Sequence, residues 1–197
     1  MKAEAPALGF VLNIVITFLM ISYAYLWGMN MYENILEVGR IDQSQKLLCD
    51  VGERIMQIWK YGGKEYVSFD IPATFEVKVN STDEFSNFIE MRVPLRAPKN
   101  SSWIYLNSFL FEKYSSSPFR VPYVLRMKYE GRKAVLQLLF TAYCKGSECT
   151  AVLLKPSTNR ICSNRCKIYL EKGENGKRIV GGKTIHYSKI MVGVEWC

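Results

Sequence analysis

The sequence predicts an α+β chain: a long N-terminal hydrophobic helix that spans a membrane or assembles, followed by an antiparallel β-sandwich-like ectodomain. Three observations point there. Residues 5–32 carry no charge. The apolar period changes from near 3.6 to 2 after Lys64. Five of the six cysteines lie in the β-rich remainder of a chain whose net charge is +8. A chain of 197 residues, 49% hydrophobic and 22% charged, suffices for one sizeable core and is short for two ordinary domains. The expected division is therefore a helical region over 1–62 and one ectodomain over 63–197. A mean hydropathy of -0.03 conceals a membrane-like segment joined to a polar, basic remainder. That distribution excludes a simple soluble globular chain.

The first element is the run from Ala5 to Trp27, in which Asn13, Thr17 and Ser22 are the conventional hydrogen-bonding side chains apart from two tyrosines. At about 1.5 Å per residue it reaches about 35 Å, enough to cross a hydrocarbon core of about 30 Å with some tilt. Tyr23, Tyr25, Trp27 and Tyr32 crowd its C-terminal end, where amphipathic rings favour the membrane–water interface. Lys2 is offset by Glu4, and Arg40 and Lys46 lie beyond the other end, so basic flanks do not orient the span. Two other readings compete. A cleaved secretory signal would have a shorter apolar region and a better small-x-small site than Ser22-Tyr23-Ala24. A buried core helix would also tolerate an apolar perimeter.

Beyond the span, Tyr32, Ile35, Leu36, Leu48, Val51, Ile55, Ile58 and Trp59 recur mostly at three- and four-residue spacing. This predicts that the helix continues with one apolar stripe. Gly28, Gly39 and Gly52 each weaken it by about 1 kcal/mol relative to Ala and mark places for bends. Tyr61-Gly62-Gly63 ends it.

Short β-branched and aromatic runs follow at 66–69, 75–79, 88–93, 121–127 and 134–140, then at 151–154, 167–170, 184–187 and 190–194. Glu130-Gly131-Arg132 and Asn175-Gly176 read as hairpin breaks, and residues 96–102 as a loop within the β-region. The expected result is a sandwich of about eight to ten strands.

Cysteines stand at Cys49, Cys144, Cys149, Cys162, Cys166 and Cys197. Four of them could close a tetrahedral zinc site, but neither close pair has the two-residue knuckle spacing. An even count in an exported chain favours disulfides instead. Proximity selects Cys144–Cys149 and Cys162–Cys166 among 15 possible pairings, and elimination leaves Cys49–Cys197. Asn80 and Asn100 head N-glycosylation sequons.

No constellation of catalytic residues is recognisable, and a non-enzyme without cofactor or metal is expected. His186 is the single histidine, and no Gly-x-Ser-x-Gly accompanies it. Gly181-Gly182-Lys183-Thr184 is the wrong length for a phosphate loop and precedes a strand rather than a helix. Charge is more informative: residues 155–189 contain Lys155, Arg160, Arg165, Lys167, Lys172, Lys177, Arg178, Lys183 and Lys189 against Glu171 and Glu174. A basic surface with Lys167, Lys177, Arg178 and Lys183 would suit an acidic envelope glycan. Aromatic interleaving by Tyr169 and Tyr187 alone is thin for a nucleic-acid stacking platform. The bland alternative is a solvated face.

Lys2-Ala3-Glu4-Ala5-Pro6-Ala7-Leu8-Gly9, running into an apolar helix, resembles the start of archaeal type IV pilin-like proteins with a class III signal peptide. Lys2 and Ala3 match the recognition pair, processing would fall before Glu4, and Pro6 and Gly9 match the punctuating residues. The leader would have three residues. Glu4 would open the mature chain, whereas many members carry the acid that assists assembly at the fifth position. Phe69-Asp70-Ile71-Pro72-Ala73-Thr74-Phe75 is similar to the segment that joins helix to sheet in such proteins. The resemblance implies an outward-facing β-domain and a homo-oligomeric filament, or assembly with related pilin subunits. Pro6, Gly9, Phe10 and Asn13 would belong to the assembly helix. The other expectation, from a different class, is a single-pass anchored adhesion ectodomain whose basic segment contacts the partner.

Overall fold

The computed structural model describes residues 4–79, 87–106, 123–140, 142–157 and 161–196. From Lys64 on, the described residues are almost entirely extended, and one helix precedes them. The chain divides into two compact units, Met1–Gly39 and Arg40–Cys197.

Helix α1 runs from Glu4 to Tyr61 without interruption, through Gly28, Gly39 and Gly52. Pro6 sits in its first turn, where no intrahelical N–H bond is lost. The C-terminus closes on Gly62: its φ is +80°, and its N–H donates to the Ile58 carbonyl at 2.8 Å, the left-handed cap that glycine allows. Lys172 adds a cationic cap, with Nζ 3.0 Å from the Trp59 carbonyl oxygen.

The described residues form eight strands, β1 (Lys64–Val79), β2 (Asn87–Asn100), β3 (Ile104–Tyr105), β4 (Tyr123–Phe140), β5 (Tyr143–Lys145), β6 (Glu148–Pro156), β7 (Ile161–Val180) and β8 (Lys183–Trp196). They form one curled sheet in the order β3-β4-β2-β1-β7-β8-β6-β5. The expectation of two packed antiparallel sheets is thus corrected to a single mixed one. The chain leaves β6 for β7 and returns through β8, which inserts between them; β8 therefore runs parallel to β6, from Glu148↔Thr184 to Pro156↔Val192. Curling brings β6 near β1, β2 and β4, so one sheet can enclose a core as two would.

Both expected hairpin breaks prove to be irregularities inside long strands. At Gly131 φ is +59°, but β4 continues through it, and its N–H donates to Asn100 Oδ1 at 2.9 Å. Residues 96–100, expected in a loop, consequently form the end of β2. In β7 the register shifts between Lys172 and Asn175, and the strand runs on to Val180. Gly176 is there for space, since a Cβ at that position would overlap the Tyr187 ring. The turn lies instead at Gly181-Gly182, both with positive φ (57° and 75°), the two-residue geometry that suits the sheet's twist. The segment Phe69–Phe75 is likewise not a helix–sheet joint. It lies within β1, where the register slips between Asp70 and Thr74 opposite Asn164, whose φ is +67°.

Alternation along the strands sends one set of side chains inward. Val67, Phe69, Ile71, Phe75 and Val77 of β1 are buried with Ile89, Met91, Val93 and Leu95 of β2. Leu125, Leu136, Leu138 and Phe140 of β4 join the same cluster, as do Ile168, Leu170, Ile190 and Val192. Ile41, Leu48, Val51, Ile55 and Ile58 of α1 complete it. Burying each such side chain is worth about 1.5–3 kcal/mol. Gly52 belongs to this packing, because a Cβ there would stand 3.2 Å from the Tyr123 ring. Its role is close approach to β4.

Candidate assembly surface and the basic hairpin

The apolar part of α1 has the opposite environment. Phe10, Val11 and Leu12 follow one another around the helix and are 68%, 58% and 58% exposed. At about 100° per residue, three successive exposed apolar side chains already reach most of the perimeter. Phe18, Leu19, Met20, Ile21, Leu26 and Trp27 extend the same surface, and the most apolar 18-residue window has no buried residue. The helix is long and apolar enough to cross a membrane. The buried-core reading is overturned by that exposure. Tyr32, Ile35 and Leu36, expected to share the stripe with Leu48 and Ile55, are also exposed.

Of the polar side chains in the run, Thr17 satisfies itself by donating from Oγ1 to the Asn13 carbonyl at 2.8 Å. The Asn13 side chain is exposed. Gly9 and Gly28 have nothing within 4 Å of where a Cβ would stand. Ala24 and Gly28, four residues apart, form a small-x3-small pair that the linear reading passed over; such pairs allow helix backbones to approach closely. Glu4 is the first helical residue. Lys2 and Ala3 lie outside the described residues.

Four of the six cysteines are paired, Cys144 with Cys149 and Cys162 with Cys166. The first bridge joins directly opposed residues of the β5–β6 hairpin, and the second spans the irregular start of β7. These thiols are therefore not available to zinc, and no cluster of three or more metal-ligating side chains occurs among the described residues. Cys49 has no disulfide partner among the described residues. Cys197, its expected partner, lies outside them, as does Asn80. Burial pushes the Cys49 thiol's pKa up, and the charge of Glu53 adds to the effect. Asn100 is exposed at the end of β2.

The four basic residues do not form one patch. Lys167 lies on the outer face of β7, with Nζ 4.3 Å from the Tyr66 ring centroid. Lys177 is ten residues further along the strand, about 33 Å at the usual rise. Lys177, Arg178 and Lys183 instead gather at the β7–β8 hairpin tip, paired in register through Arg178↔Ile185 and Val180↔Lys183. Ile179 and Val180 share the tip and are 72% and 47% exposed. Strand alternation concealed this grouping, because it comes from the turn position and not from spacing. His186 is exposed opposite Lys177 on the same hairpin.

Two further polar features lie in the β-rich unit, the first built by strand register. Glu90, buried on the outer face, accepts from Lys78 Nζ at 2.9 Å and Gln137 Nε2 at 2.6 Å and pairs with Arg92 at 2.5 Å. Burial alone would raise its pKa, but those hydrogen bonds and the Arg92 and Lys78 charges outweigh it and hold the carboxyl below its usual range. The second feature is an open groove of about 340 Å³ in the unit Arg40–Cys197. Asp42, Cys49, Asp50 and Glu53 of α1 line it together with Leu106 and Leu125. No family model, curated protein or solved structure matches the chain.

Proposed function

We propose that this chain is a structural subunit of a type IV pilus-like cell-surface filament or pseudopilus, assembling through its apolar N-terminal helix. The observation that carries the reading is the apolar perimeter of residues 10–32, whose large apolar side chains the described chain leaves exposed. Left in water it would cost about 25 cal/mol per Å². Lipid can cover it before assembly, and a bundle of identical helices can cover it afterwards. Asn13 and the Ala24–Gly28 pair suit the second state, where an exposed amide gains a neighbour and small residues admit a close backbone. The resemblance of Lys2-Ala3-Glu4-Ala5-Pro6 to a processed pilin leader points the same way. The β-rich unit, with its two disulfides, is then the outer, extracellular part.

The test is the mass of the native protein's amino terminus together with electron microscopy of the cell surface. A mature chain starting at Glu4 and fibres containing it are expected. A chain purified from native membranes only as a monodisperse monomer, with its amino terminus unprocessed, would sink the reading.

A second reading is favoured by the gathering of Lys177, Arg178 and Lys183 on one exposed tip. In it the chain is a single-pass anchored adhesin that binds an acidic envelope glycan. Replacing the three by Gln should then abolish salt-sensitive binding to an acidic polysaccharide, and unchanged binding would remove it.

A further inference from the structure

We infer that the β7–β8 hairpin tip, together with the β5–β6 turn beside it, inserts into an anionic lipid surface. Ile179 and Val180 enter the interface, and a collar of lysines meets the headgroups. The contact requires no assembly and so goes beyond the filament reading.

The tip is built to stand clear of the sheet. Strand β1 leaves β7 at Lys64↔Glu171, so among the described residues Lys172–Val180 pair with β8 alone. The turn at Gly181-Gly182 carries no side chain, which makes Ile179 and Val180 the foremost large side chains, and both are exposed. The β5–β6 turn lies alongside: the Thr184 N–H donates to the Ser147 carbonyl at 2.9 Å, and Glu148 registers with Thr184. The Cys144–Cys149 bridge crosses that second hairpin directly behind its turn and holds Lys145 at the same end.

Charge there is one-sided. Lys145, Lys177, Arg178 and Lys183 are exposed, with Glu148 as the acid among them. Lys145, Lys177 and Lys183 make no ion pair among the described residues. Glu174, the nearest acid of β7, is taken by Lys189 at 3.1 Å. Each Lys or Arg held near an anionic bilayer strengthens binding about fivefold.

Strand register favours a bilayer over a glycan. Directly opposed residues of a strand pair share a face. Lys177, Ile179 and His186 therefore lie on one face of the ribbon, and Arg178, Val180 and Lys183 on the other. Each face thus carries cations behind one apolar side chain at the apex. A ligand lying along one face would meet half of this set, and an acidic glycan would leave Ile179 and Val180 in water. A bilayer interface surrounds an inserted tip, with headgroup charge around the collar and acyl chains at the apex.

The experiment holds the whole chain, unassembled, in nanodiscs of phosphatidylcholine and measures co-flotation with vesicles of phosphatidylcholine, with and without a minority of phosphatidylserine. Only the vesicles containing phosphatidylserine should carry the discs. K145Q/K177Q/K183Q should lower that affinity about a hundredfold at low salt, and by less as salt rises. K145R/K177R/K183R should bind like the native chain, which separates a loss of charge from a loss of fold. I179S/V180S should lower affinity about tenfold or more at every salt concentration. Equal flotation with the two kinds of vesicle, or native-level binding by I179S/V180S, overturns the inference. So does a Gln variant that loses binding to soluble polygalacturonate and keeps binding to vesicles, an outcome that gives the tip to a glycan. Absence of fibres on native cells would sink the filament reading and leave this result untouched.

Discussion

Two stretches of the same helix, residues 10–38 and 41–58, are both rich in large apolar side chains and meet opposite fates. Leu48, Val51, Ile55 and Ile58 are essentially fully buried against the sheet, whereas Phe10, Phe18, Leu19 and Trp27 are at least 62% exposed. The difference lies in what separates the apolar residues. Between the buried ones stand Asp42, Lys46, Asp50 and Arg54, which pair along the helix at four-residue spacing (Lys46–Asp42 at 2.7 Å, Arg54–Asp50 at 3.0 Å). Such a helix has one face to bury, and the chain's own sheet buries it. Residues 10–32 have no charged face, so no single neighbour could cover them. Periodicity, more than hydropathy, tells self-burial from burial by lipid or by other copies.

The largest effect that could break this comparison comes from matched truncations. Leu48→Ala should destabilise the β-rich unit by about 2–5 kcal/mol, since it removes a fully buried side chain from a packed cluster. Leu19→Ala should leave that unit's melting temperature unchanged and lower assembly instead. Thermal melting of the detergent-solubilised chain, beside a sedimentation assay for assembly, reads both. Equal melting temperatures for the two variants would erase the distinction.

Acid sharpens it further. The Glu90 carboxyl is depressed in the folded protein, so it contributes stability above its unfolded pKa of about 4.3. That contribution is lost as pH falls from there through the folded value. Residues 5–32 contain no side-chain charge and cannot respond in the same way. The melting temperature of the β-rich unit should therefore fall below about pH 4 while helicity of the membrane-embedded segment, followed by segment-specific infrared labels, stays constant. Glu90→Gln should flatten the acid limb. An unchanged limb in that variant would assign it to other carboxylates.

How far the sequence could be read follows the same physics. The charge-free run, the cap at Gly62 and the change of period at Lys64 are local signals, and local rules read them correctly. Strand existence was also legible, because alternation at Phe75–Val79 or Phe88–Val93 needs no partner to be recognised. Sheet count and strand order were not legible. The insertion of β8 between β6 and β7 is a long-range pairing that leaves no mark in either strand's composition. The glycines misled for a related reason. Gly131 and Gly176 look like turns in a linear reading, yet one is a positive-φ kink within β4 and the other a space for the Tyr187 ring. The true turn at Gly181-Gly182 reads linearly as a phosphate loop of the wrong length ahead of a strand, and only the pairing of β7 with β8 shows its hairpin role. The tip that gathers Lys177, Arg178 and Lys183 follows from that turn, and so escaped notice with it.

The smallest predicted effects come from one substitution made in both stretches of α1. Gly52→Ala places a methyl 3.2 Å from the Tyr123 ring and 3.4 Å from Leu138 Cδ2, inside the buried cluster, so these neighbours must shift by a few tenths of an ångström. Helix propensity would return about 1 kcal/mol, but overpacking costs about 1–3 kcal/mol, so net destabilisation of the β-rich unit is expected. At Gly28 a methyl meets nothing within 4 Å, so Gly28→Ala should gain helix propensity with no packing cost in the monomer. Its cost should surface on association, where the added methyl holds the neighbouring backbone away. The two variants thus reverse order between assays: Gly52→Ala melts earlier and assembles, whereas Gly28→Ala melts normally and assembles less. If Gly28→Ala assembles like the native chain, the Ala24–Gly28 pair does not lie in a helix–helix contact. The covering of residues 10–32 would then be lipid on that face.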